Sequence, residues 1–434
     1  MPSLLLRGLI HIATSSACLL LTACAGAPAQ SLASTPQPPV VASTPAPAPA
    51  PNAILAQEKL SFSEWQILLR SDAIAAGIDP ELFDRAFAGV TPNPDVLAAD
   101  SSQPEFSRPV WEYLDGALSP LRVARGRALL LQHRETIKAI KKQYRVDHEV
   151  LVAIWGLESN FGSNIGNHNV IRSLATLAYE GRRQVFWRSQ LLAVLQILQN
   201  GDITPERLVG SWAGAMGQTQ FMPTTYNEHA VDFDGDGKRD LWNSPADALA
   251  SAAHYLQASG WQKGQPWGFE VQLPQGFDYT LADPEVRRSV TDWLALGLKP
   301  LNLEVREDAD NDALATLSLP AGHRGPAFLL LNNFRSILKY NNSTSYALAI
   351  GLLSDALRGR DGVQASWPRE DRQLSRKERI ELQELLAQNG LEPGPADGII
   401  GANTRKAVRA FQLKQGWPAD GYPHYQLLEQ LRKN

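Results

Sequence analysis

The chain has 434 residues, with 44% hydrophobic and 20% charged residues and a formal net charge of -4. This composition is ordinary for globular protein, and the length suggests two to three domains with a real core. The slightly negative charge gives no basic footprint for nucleic acid, so a nucleic-acid partner is not expected.

The first 23 residues have the pattern of a signal peptide. Arg7 supplies a short positive region, and the apolar stretch from Leu9 to Leu21 is too short to remain as a membrane-spanning helix. The ending Leu21-Thr22-Ala23-Cys24 resembles a bacterial lipobox, which implies cleavage before Cys24 and lipidation of Cys24. Because Cys18 would leave with the signal, the exported domain would keep no cysteine for a disulfide, a metal site or thiol catalysis. The alternative is an ordinary secretory signal.

Residues 24–57 are rich in Pro, Ala, Ser and Thr, which predicts an extended tether. Helical patterns follow over 63–90, with a new start at Asp79-Pro80, over 119–145 and over 147–161. Further helices are predicted over 186–200, from Pro205, over 245–259 and over 346–358. Weak alternation over 264–280 and 314–331 indicates a few short strands.

The predicted architecture is therefore mainly α (α+β). Residues 58–360 are expected to form the larger, helical domain with a minor β element, and the polar residues 361–372 a linker. Residues 373–434 form a small three-helix module, with helices near 375–389, 401–416 and 423–432.

The helix predicted over 147–161 carries a carboxylate on or beside its apolar face. Val150, Leu151 and Ile154 recur at helical spacing, and Glu158 lies on or beside that apolar stripe, before a helix end at Gly162. Desolvation would raise its pKa and keep it protonated near neutrality, as a general acid requires. From this stretch alone, a structural Glu with a polar partner explains the pattern equally well.

Residues 210–226 combine small residues with neutral polar groups. Gly and Ala allow close backbone approach, while Ser211, Gln218 and Gln220 supply neutral hydrogen-bond groups beside aromatic residues, which suits a sugar. A tight helix-packing segment is the alternative.

Together these motifs resemble those of the lytic transglycosylases, in particular the membrane-bound lytic transglycosylase B family. The resemblance is carried by Glu158-Ser159-Asn160-Phe161-Gly162 and by Gly214-Ala215-Met216-Gly217-Gln218-Thr219-Gln220-Phe221-Met222-Pro223. It extends over roughly residues 60–358 and implies a lysozyme-like fold that cleaves peptidoglycan.

The resemblance implies one catalytic acid, which falls on Glu158. In the family mechanism it protonates the oxygen between N-acetylmuramic acid and N-acetylglucosamine. It then takes the proton of the muramic C6 hydroxyl, which attacks C1 and gives a 1,6-anhydro end without a second carboxylate. Two alternatives stay open: a muramidase that uses water, and a non-catalytic wall-binding lipoprotein.

The resemblance also implies a set of substrate-binding residues around the cleft, and no cofactor is expected for the reaction. Tyrosines offer a flat apolar face to a pyranose and a hydroxyl for hydrogen bonds, although core packing explains each of them as well. These residues are Ser211, Gln220, Tyr255, Tyr340, Asn341 and Tyr346.

A third segment, Asp232 to Asp240, has carboxylates at alternate positions and matches the start of an EF-hand loop. A structural Ca²⁺ is expected there, held by Asp232, Asp234, Asp236, the carbonyl of Lys238 and Asp247. Asp247 lies one residue further along than expected, and an unmetallated turn is the alternative.

The last segment resembles the type-one peptidoglycan-binding module. The similarity rests on Asp397-Gly398, Gly401, Thr404 and the apolar face of Ala407, Val408 and Phe411. Binding of peptidoglycan is implied, with a purely protein-interacting role as the alternative.

The expected partners are peptidoglycan glycan strands, the membrane through the N-terminal lipid anchor, and cell-wall synthesis proteins. A monomer is expected. Ala25 follows Cys24 where an Asp would signal inner-membrane retention in enteric bacteria, which favours the periplasmic face of the outer membrane.

Overall fold

The computed structural model describes residues 60–101 and 108–433. The predicted signal peptide, Cys24 and the predicted tether lie outside the described residues. Within the described ranges the fold is mainly α with a small antiparallel sheet, as predicted. In the same ranges, no helix combines the length and the apolar character that crossing a membrane requires.

The described part of the predicted catalytic domain, residues 58–360, is called the catalytic half and begins with a series of helices. These are α1 (Phe62–Ala75), α2 (Pro80–Ala86), α3 (Pro94–Ser101), α4 (Val110–Ala117), α5 (Pro120–Gln132), α6 (Arg134–Tyr144) and α7 (His148–Ser159). The next elements are β1 (His168–Asn169), α8 (Val170–Glu180), α9 (Gln184–Gln199), β2 (Val209–Gly210), α10 (Pro223–His229) and α11 (Pro245–Ala258). Strands β1 and β2 form a short antiparallel pair.

A five-stranded antiparallel sheet follows, in the order β4-β6-β7-β3-β5. Its elements are β3 (Gly268–Gln272), β4 (Arg288–Ser289), α12 (Val290–Ala295), β5 (Lys299–Pro300), α13 (Leu303–Asp308), β6 (Leu314–Ser318) and β7 (Ala327–Leu330). Phe269 lies opposite Leu329, and both are buried. The chain continues with α14 (Asn332–Tyr340), α15 (Thr344–Arg358), α16 (Arg376–Gln388), α17 (Ala402–Lys414) and α18 (Tyr425–Leu431).

Helix α7 has no exposed residue. It packs against α5, α6, α11 and α15. Leu151, Val152, Ala153 and Ile154 are fully buried, so the helix is apolar on several sides and not along one stripe only. Helix α15 runs antiparallel to it, because Tyr346 meets Glu158 at one end while Arg358 meets Glu149 at the other.

The single helix predicted over 119–145 was wrong. His133 has φ -100° and ψ 21°, which breaks the segment into α5 and α6. Helix α6 buries Ile137 and Ile140, whereas Leu131 in the last turn of α5 is exposed. The apolar faces of the two helices therefore point in different directions, which one straight helix does not allow.

The helix predicted to begin at Pro205 was also wrong. Residues 204–207 form a turn in which the amide of Arg207 donates to the carbonyl of Thr204 at 3.1 Å. Proline pre-sets φ for a turn as readily as for a helix. The chain then enters β2, whose pairing with β1 replaces the helical hydrogen bonds.

Helix α7 begins as predicted but ends earlier. Asp147 is the N-cap residue, but its side chain makes no cap bond and instead pairs with Lys141 (3.0 Å) and Arg358 (3.3 Å). At the other end the helix stops at Ser159, because Asn160 is already left-handed at φ 50°. The stop therefore comes before Gly162.

The C-terminal module has its own core, built from Leu382, Leu386, Val408, Phe411 and other buried residues. It also contacts the catalytic half. His323 donates its backbone amide to Asp420 Oδ2 at 2.9 Å, and its ring Nδ1 lies 2.6 Å from the same oxygen. Arg409 pairs with Asp283.

The predicted linker is pinned along the catalytic half at several points. The amides of Gln364 and Ala365 donate to the buried carboxylate of Glu270 at 2.7 and 2.8 Å. Arg369 makes a two-pronged pair with Asp115, with distances of 2.7 and 2.9 Å. The module is thus docked on the catalytic half.

Candidate active site

Glu158 lies in the last turn of α7, where it is half-buried and faces α15. Tyr346 Oη donates a hydrogen bond of 2.5 Å to Glu158 Oε1. Burial raises the pKa of Glu158 to about 7, and the Tyr346 bond acts in the opposite direction. Among the described residues, no neighbouring carboxylate contributes to that shift. The sequence predicted such a pKa from the apolar surroundings of α7.

A strained turn follows Glu158 directly. Asn160, Phe161 and Gly162 have φ values of 50°, 58° and 76°. Left-handed backbone is costly for residues with side chains, and such strain persists only where the surroundings hold it. Phe161 is 5% exposed and meets Trp155 edge to face at 5.8 Å. A Cβ at Gly156 would come within 2.8 Å of that ring, so a glycine is required for this close approach.

Two tyrosines lie close enough to Glu158 to sense its charge. Burial and then the charge of Glu158 raise the pKa of Tyr340 and of Tyr346 well above the ordinary value, so both hydroxyls stay protonated. Tyr340 donates to the carbonyl of Thr219 at 2.6 Å. Tyr255 meets Tyr340 edge to face at 5.2 Å and donates to the carbonyl of Lys339 at 2.6 Å.

The predicted residues Ser211, Gln220 and Asn341 make their described hydrogen bonds away from Glu158. Ser211 Oγ accepts from the amide of Ala215 at 3.0 Å. Gln220, at φ 50°, donates its side-chain amide to the carbonyls of Gly217 (2.9 Å) and Ile165 (3.2 Å). Asn341 is exposed at the end of α14. Ser211 and Gln220 therefore shape the loop that faces α7, whereas Tyr346 bonds to the carboxylate and Tyr340 lies close enough to sense its charge.

The structure adds contacts that the sequence pattern did not single out. Trp155 Nε1 donates to Gln218 Oε1 at 2.9 Å, and Ser159 Oγ donates to the carbonyl of Gln218 at 2.6 Å. Trp155 sits one turn before Glu158 and Ser159 directly after it. A Ser in the last turn of an otherwise apolar helix was the one visible signal of a partner there.

The Asp-rich loop brings three carboxylates together. Asp232, Asp234 and Asp247 each place an oxygen within 4.8 Å of the others. Asp232 accepts from the amides of Gly235 (2.7 Å) and Gly237 (2.9 Å). Asp247 accepts from the amides of Phe233 (2.8 Å) and Asp240 (2.9 Å), and burial raises its pKa. Three clustered carboxylates are a donor set that fits Ca²⁺, a hard cation with oxygen ligands.

One predicted ligand, Asp236, lies apart from that cluster. The Asp236 carboxylate does not join the three grouped oxygens and accepts from the amide of Lys238 at 2.9 Å. The reason is local: the amide of Asp236 is itself tied to Asp232 at 3.2 Å, and its side chain closes the next turn of the loop. Asp247, which the spacing left in doubt, is in the cluster because α11 begins beside the loop.

Comparison with known families and proteins gives two family matches. Residues 61–355 match the transglycosylase SLT domain, and residues 375–431 match a peptidoglycan binding domain. The chain is 34% identical over 247 residues to membrane-bound lytic murein transglycosylase B of Escherichia coli (strain K12). That alignment covers 55% of this chain and 65% of the E. coli protein, so the chain spans just under two thirds of its length.

Two solved structures extend the comparison. The chain is 60% identical to SltB3 from Pseudomonas aeruginosa, solved in complex with NAG-anhNAM-pentapeptide, with a TM-score of 0.82. The match covers 86% of this chain and 99% of SltB3. The Escherichia coli lytic transglycosylase Slt35, solved in complex with calcium, is 29% identical with a TM-score of 0.59, over 68% of this chain and 92% of Slt35.

Proposed function

The chain belongs to the transglycosylase SLT domain family, and on that premise we propose that it is a lytic murein transglycosylase in which Glu158 is the only acid and base. The substrate is the glycan strand of peptidoglycan. The products are strands that end in 1,6-anhydro-N-acetylmuramic acid. The reaction serves remodelling or turnover of the cell wall.

The reaction needs one carboxyl group that gives a proton and then takes one back. Glu158 donates its proton to the oxygen between muramic C1 and the next sugar as that C1–O bond breaks. The 2-acetamido group of the substrate stabilises C1. The Glu158 carboxylate then accepts the proton of the muramic C6 hydroxyl as O6 bonds to C1. No water is consumed, and Glu158 ends protonated as it began.

One observation carries this assignment: Glu158 is withdrawn from water at the end of an apolar helix, where Tyr346 Oη donates to it, and this burial raises its pKa to about 7. A group with a pKa near the working pH serves both as acid and as base. A glycosidase with two carboxylates places them about 5–9 Å apart, which would add a charge effect to the titration of Glu158.

Mass analysis of the products tests the proposal. Purified sacculi digested with the full chain should release muropeptides with anhydro ends. Reducing muramic ends, which are heavier by one water, would identify a muramidase and overturn the transglycosylase assignment. An enzyme that binds sacculi but releases nothing would point to a wall-binding lipoprotein.

The domains take matching roles. The catalytic domain, residues 58–360, cuts the glycan strand, and the C-terminal module, residues 373–434, binds peptidoglycan. Residues 361–372 connect the two. Residues 1–23 direct export, Cys24 carries the lipid, and residues 24–57 join that anchor to the catalytic domain at the periplasmic face of the outer membrane. Radiolabelled palmitate should enter the protein in a Gram-negative host, and Cys24→Ser should abolish the labelling.

In this proposal the sugar subsites are formed by Ser211, Gln220, Tyr255, Tyr340, Asn341 and Tyr346. Tyr340 and Tyr346 stand nearest to the reacting bond, since both respond to the charge of Glu158. Ser211 and Gln220 act mainly by holding the loop that lines the cleft.

A Ca²⁺ ion has a structural role at Asp232, Asp234 and Asp247. When bound, it neutralises three carboxylates that otherwise repel one another. Asp236 and the carbonyl of Lys238 complete the loop around it. We expect Ca²⁺ at a hundredfold excess over its Kd to stabilise the fold by about 2.7 kcal/mol, and Asp232→Asn to remove that effect in thermal unfolding. An equal response of both proteins to Ca²⁺ would exclude the site.

A further inference from the structure

Gln218 stands between the helix that carries Glu158 and the loop that faces it. Its side chain is buried, with 4% of the residue exposed. The side-chain oxygen accepts from Trp155 Nε1 at 2.9 Å, and the side-chain nitrogen donates to the carbonyl of Trp242 at 3.3 Å. Both ends of the amide are therefore used, each toward a different segment.

The backbone of Gln218 makes two further links. Its carbonyl accepts from Ser159 Oγ at 2.6 Å, and its amide donates to the carbonyl of Leu241 at 2.8 Å. Ser159 Oγ in turn accepts from the amide of Gly162 at 2.8 Å. One residue thus joins α7, the turn after α7 and the segment that follows the Asp-rich loop.

Gln218 also bears on the strained turn after Glu158. A Cβ at Gly162 would lie 2.5 Å from Gln218 Oε1, so the turn packs directly on this side chain. Three consecutive left-handed residues are held at this point. Strain of this kind persists only where neighbours over-determine it.

We propose that Gln218 is a positioning residue for the general acid. It grips α7 at Trp155 and Ser159, on either side of Glu158, and so fixes where the carboxyl group points and how much water reaches it. The inference rests on the proposed function of Glu158. Gln218 does not touch the reacting atoms in this role.

The variant Gln218→Met tests the role, because methionine keeps the length and removes both hydrogen-bonding ends. We expect kcat to fall about tenfold with KM within twofold, since misplacement of a general acid slows the chemical step and leaves sugar contacts intact. The loss should be greater at pH 8 than at pH 5. A looser helix end admits water to Glu158, which moves its pKa toward the ordinary range and leaves less of the acid form.

The matched control is Gln190→Met in α9. Gln190 is also a buried glutamine, 2% exposed, and its side-chain oxygen accepts from the amide and the hydroxyl of Thr224, both at 3.1 Å. It should lose thermal stability like Gln218→Met and keep its kcat and the shape of its pH profile. A kcat for Gln218→Met no lower than that of the control would overturn the proposal.

A second variant covers the case in which Gln218→Met fails to fold. Trp155→Phe removes the donor to Gln218 together with part of the indole ring, and should also lower kcat with KM unchanged. The double variant should be no slower than the slower single variant, because both changes break the same link. Losses that multiply, or a raised KM with normal kcat, would count against the link.

Kinetics should use a defined four-sugar glycan fragment with peptide stems, with products read by mass. The wild type decides the proposed function by its anhydro or reducing ends. The variants then decide the role of Gln218 alone, so the two failures stay distinguishable.

Discussion

Two carboxylates, the half-buried Glu158 at the end of α7 and the buried Asp420 where the C-terminal module docks, differ mainly in their hydrogen-bond donors. Among the residues that the structure describes, Glu158 has a single side-chain donor, Tyr346. Asp420 accepts at Oδ2 from the backbone and ring of His323, and at Oδ1 from Gln412 (2.7 Å) and from the amide of Tyr422 (2.9 Å). Burial acts on both in the same direction.

The outcome is opposite. Burial raises the pKa of Glu158 to about 7, whereas at Asp420 the bonds from His323 and its neighbours outweigh burial and lower the pKa below the ordinary value. Glu158 therefore holds a proton that it can give away, and Asp420 stays ionised as a fastening. The number of hydrogen-bond donors, more than the depth of burial, therefore distinguishes a carboxyl group that can exchange a proton from one that stays ionised and holds the fold together.

The largest expected effect is on activity and follows from removing the proton that Glu158 holds. Glu158→Gln should reduce release of anhydro ends from sacculi by about 10³-fold, the usual worth of a general acid. The variant should still sediment with sacculi, because the module is unchanged. Glu149→Gln, on the same helix and paired with Arg358 at the far end, is the control. Equal lysis by Glu158→Gln and the wild type would refute Glu158 as the acid.

The same substitution should raise stability at alkaline pH. A Glu whose pKa is 4.5 unfolded and about 7 folded costs nothing below pH 4.5, a growing amount up to pH 7 and a constant amount above it. At 1.36 kcal/mol per pKa unit, the cost reaches about 3 kcal/mol at pH 8. Urea unfolding of Glu158→Gln should therefore show a gain over the wild type at pH 8 and none at pH 4. The same difference at both pH values would mean that Glu158 is not desolvated.

Removing the charge of Asp420 should loosen the docked module. Asp420→Asn should cost about 2 kcal/mol, since it weakens charge-assisted bonds to His323. Because the pKa of Asp420 is lowered, this fastening is present above the ordinary Asp pKa and is lost as the pH falls through the folded value. Limited proteolysis should cut residues 361–372 faster than in the wild type.

Asp397→Asn is the matched control for that cleavage. Asp397 occupies the other Asp-Gly turn of the module, where it accepts from the amide of Ile399 at 2.8 Å, within the module. It should leave the cutting of residues 361–372 unchanged. Equal protection of Asp420→Asn and the wild type would mean that His323 and Asp420 do not fasten the module.

The smallest effect should follow loss of the hydrogen bond from Tyr346 to Glu158. Tyr346→Phe removes the bond that lowers the pKa of Glu158, so that pKa should rise above about 7. The alkaline limb of the kcat profile should move to higher pH, with kcat reduced about tenfold because a bond to a charged group is worth 1.5–3 kcal/mol. A limb that stays in place would show that the bond does not tune the acid.

The sequence predicted what local pattern controls. The position of Glu158 at the end of an apolar helix follows from residues within 147–162, and the family resemblance came from motifs of contiguous residues. The turns and helices of the module were likewise readable, because Asp-Gly turns and an apolar face lie within a few positions of each other.

What the sequence did not predict depends on long-range contacts. Trp155 and Gln218 are 63 positions apart, and His323 and Asp420 are 97 apart. Nothing in local spacing says that these side chains meet. The break at His133 was missed for a related reason, since helical periodicity continues through it and only the directions of burial in α5 and α6 require it.

The contacts along the linker fix where the C-terminal module lies relative to Glu158. A free chain of twelve residues would let the module roam over about 20 Å. Anchored through Glu270, Arg369 and Asp420, the module instead keeps a constant offset from Glu158. Given the proposed function, we expect cleavage to fall at a constant distance from the point at which the module binds peptidoglycan.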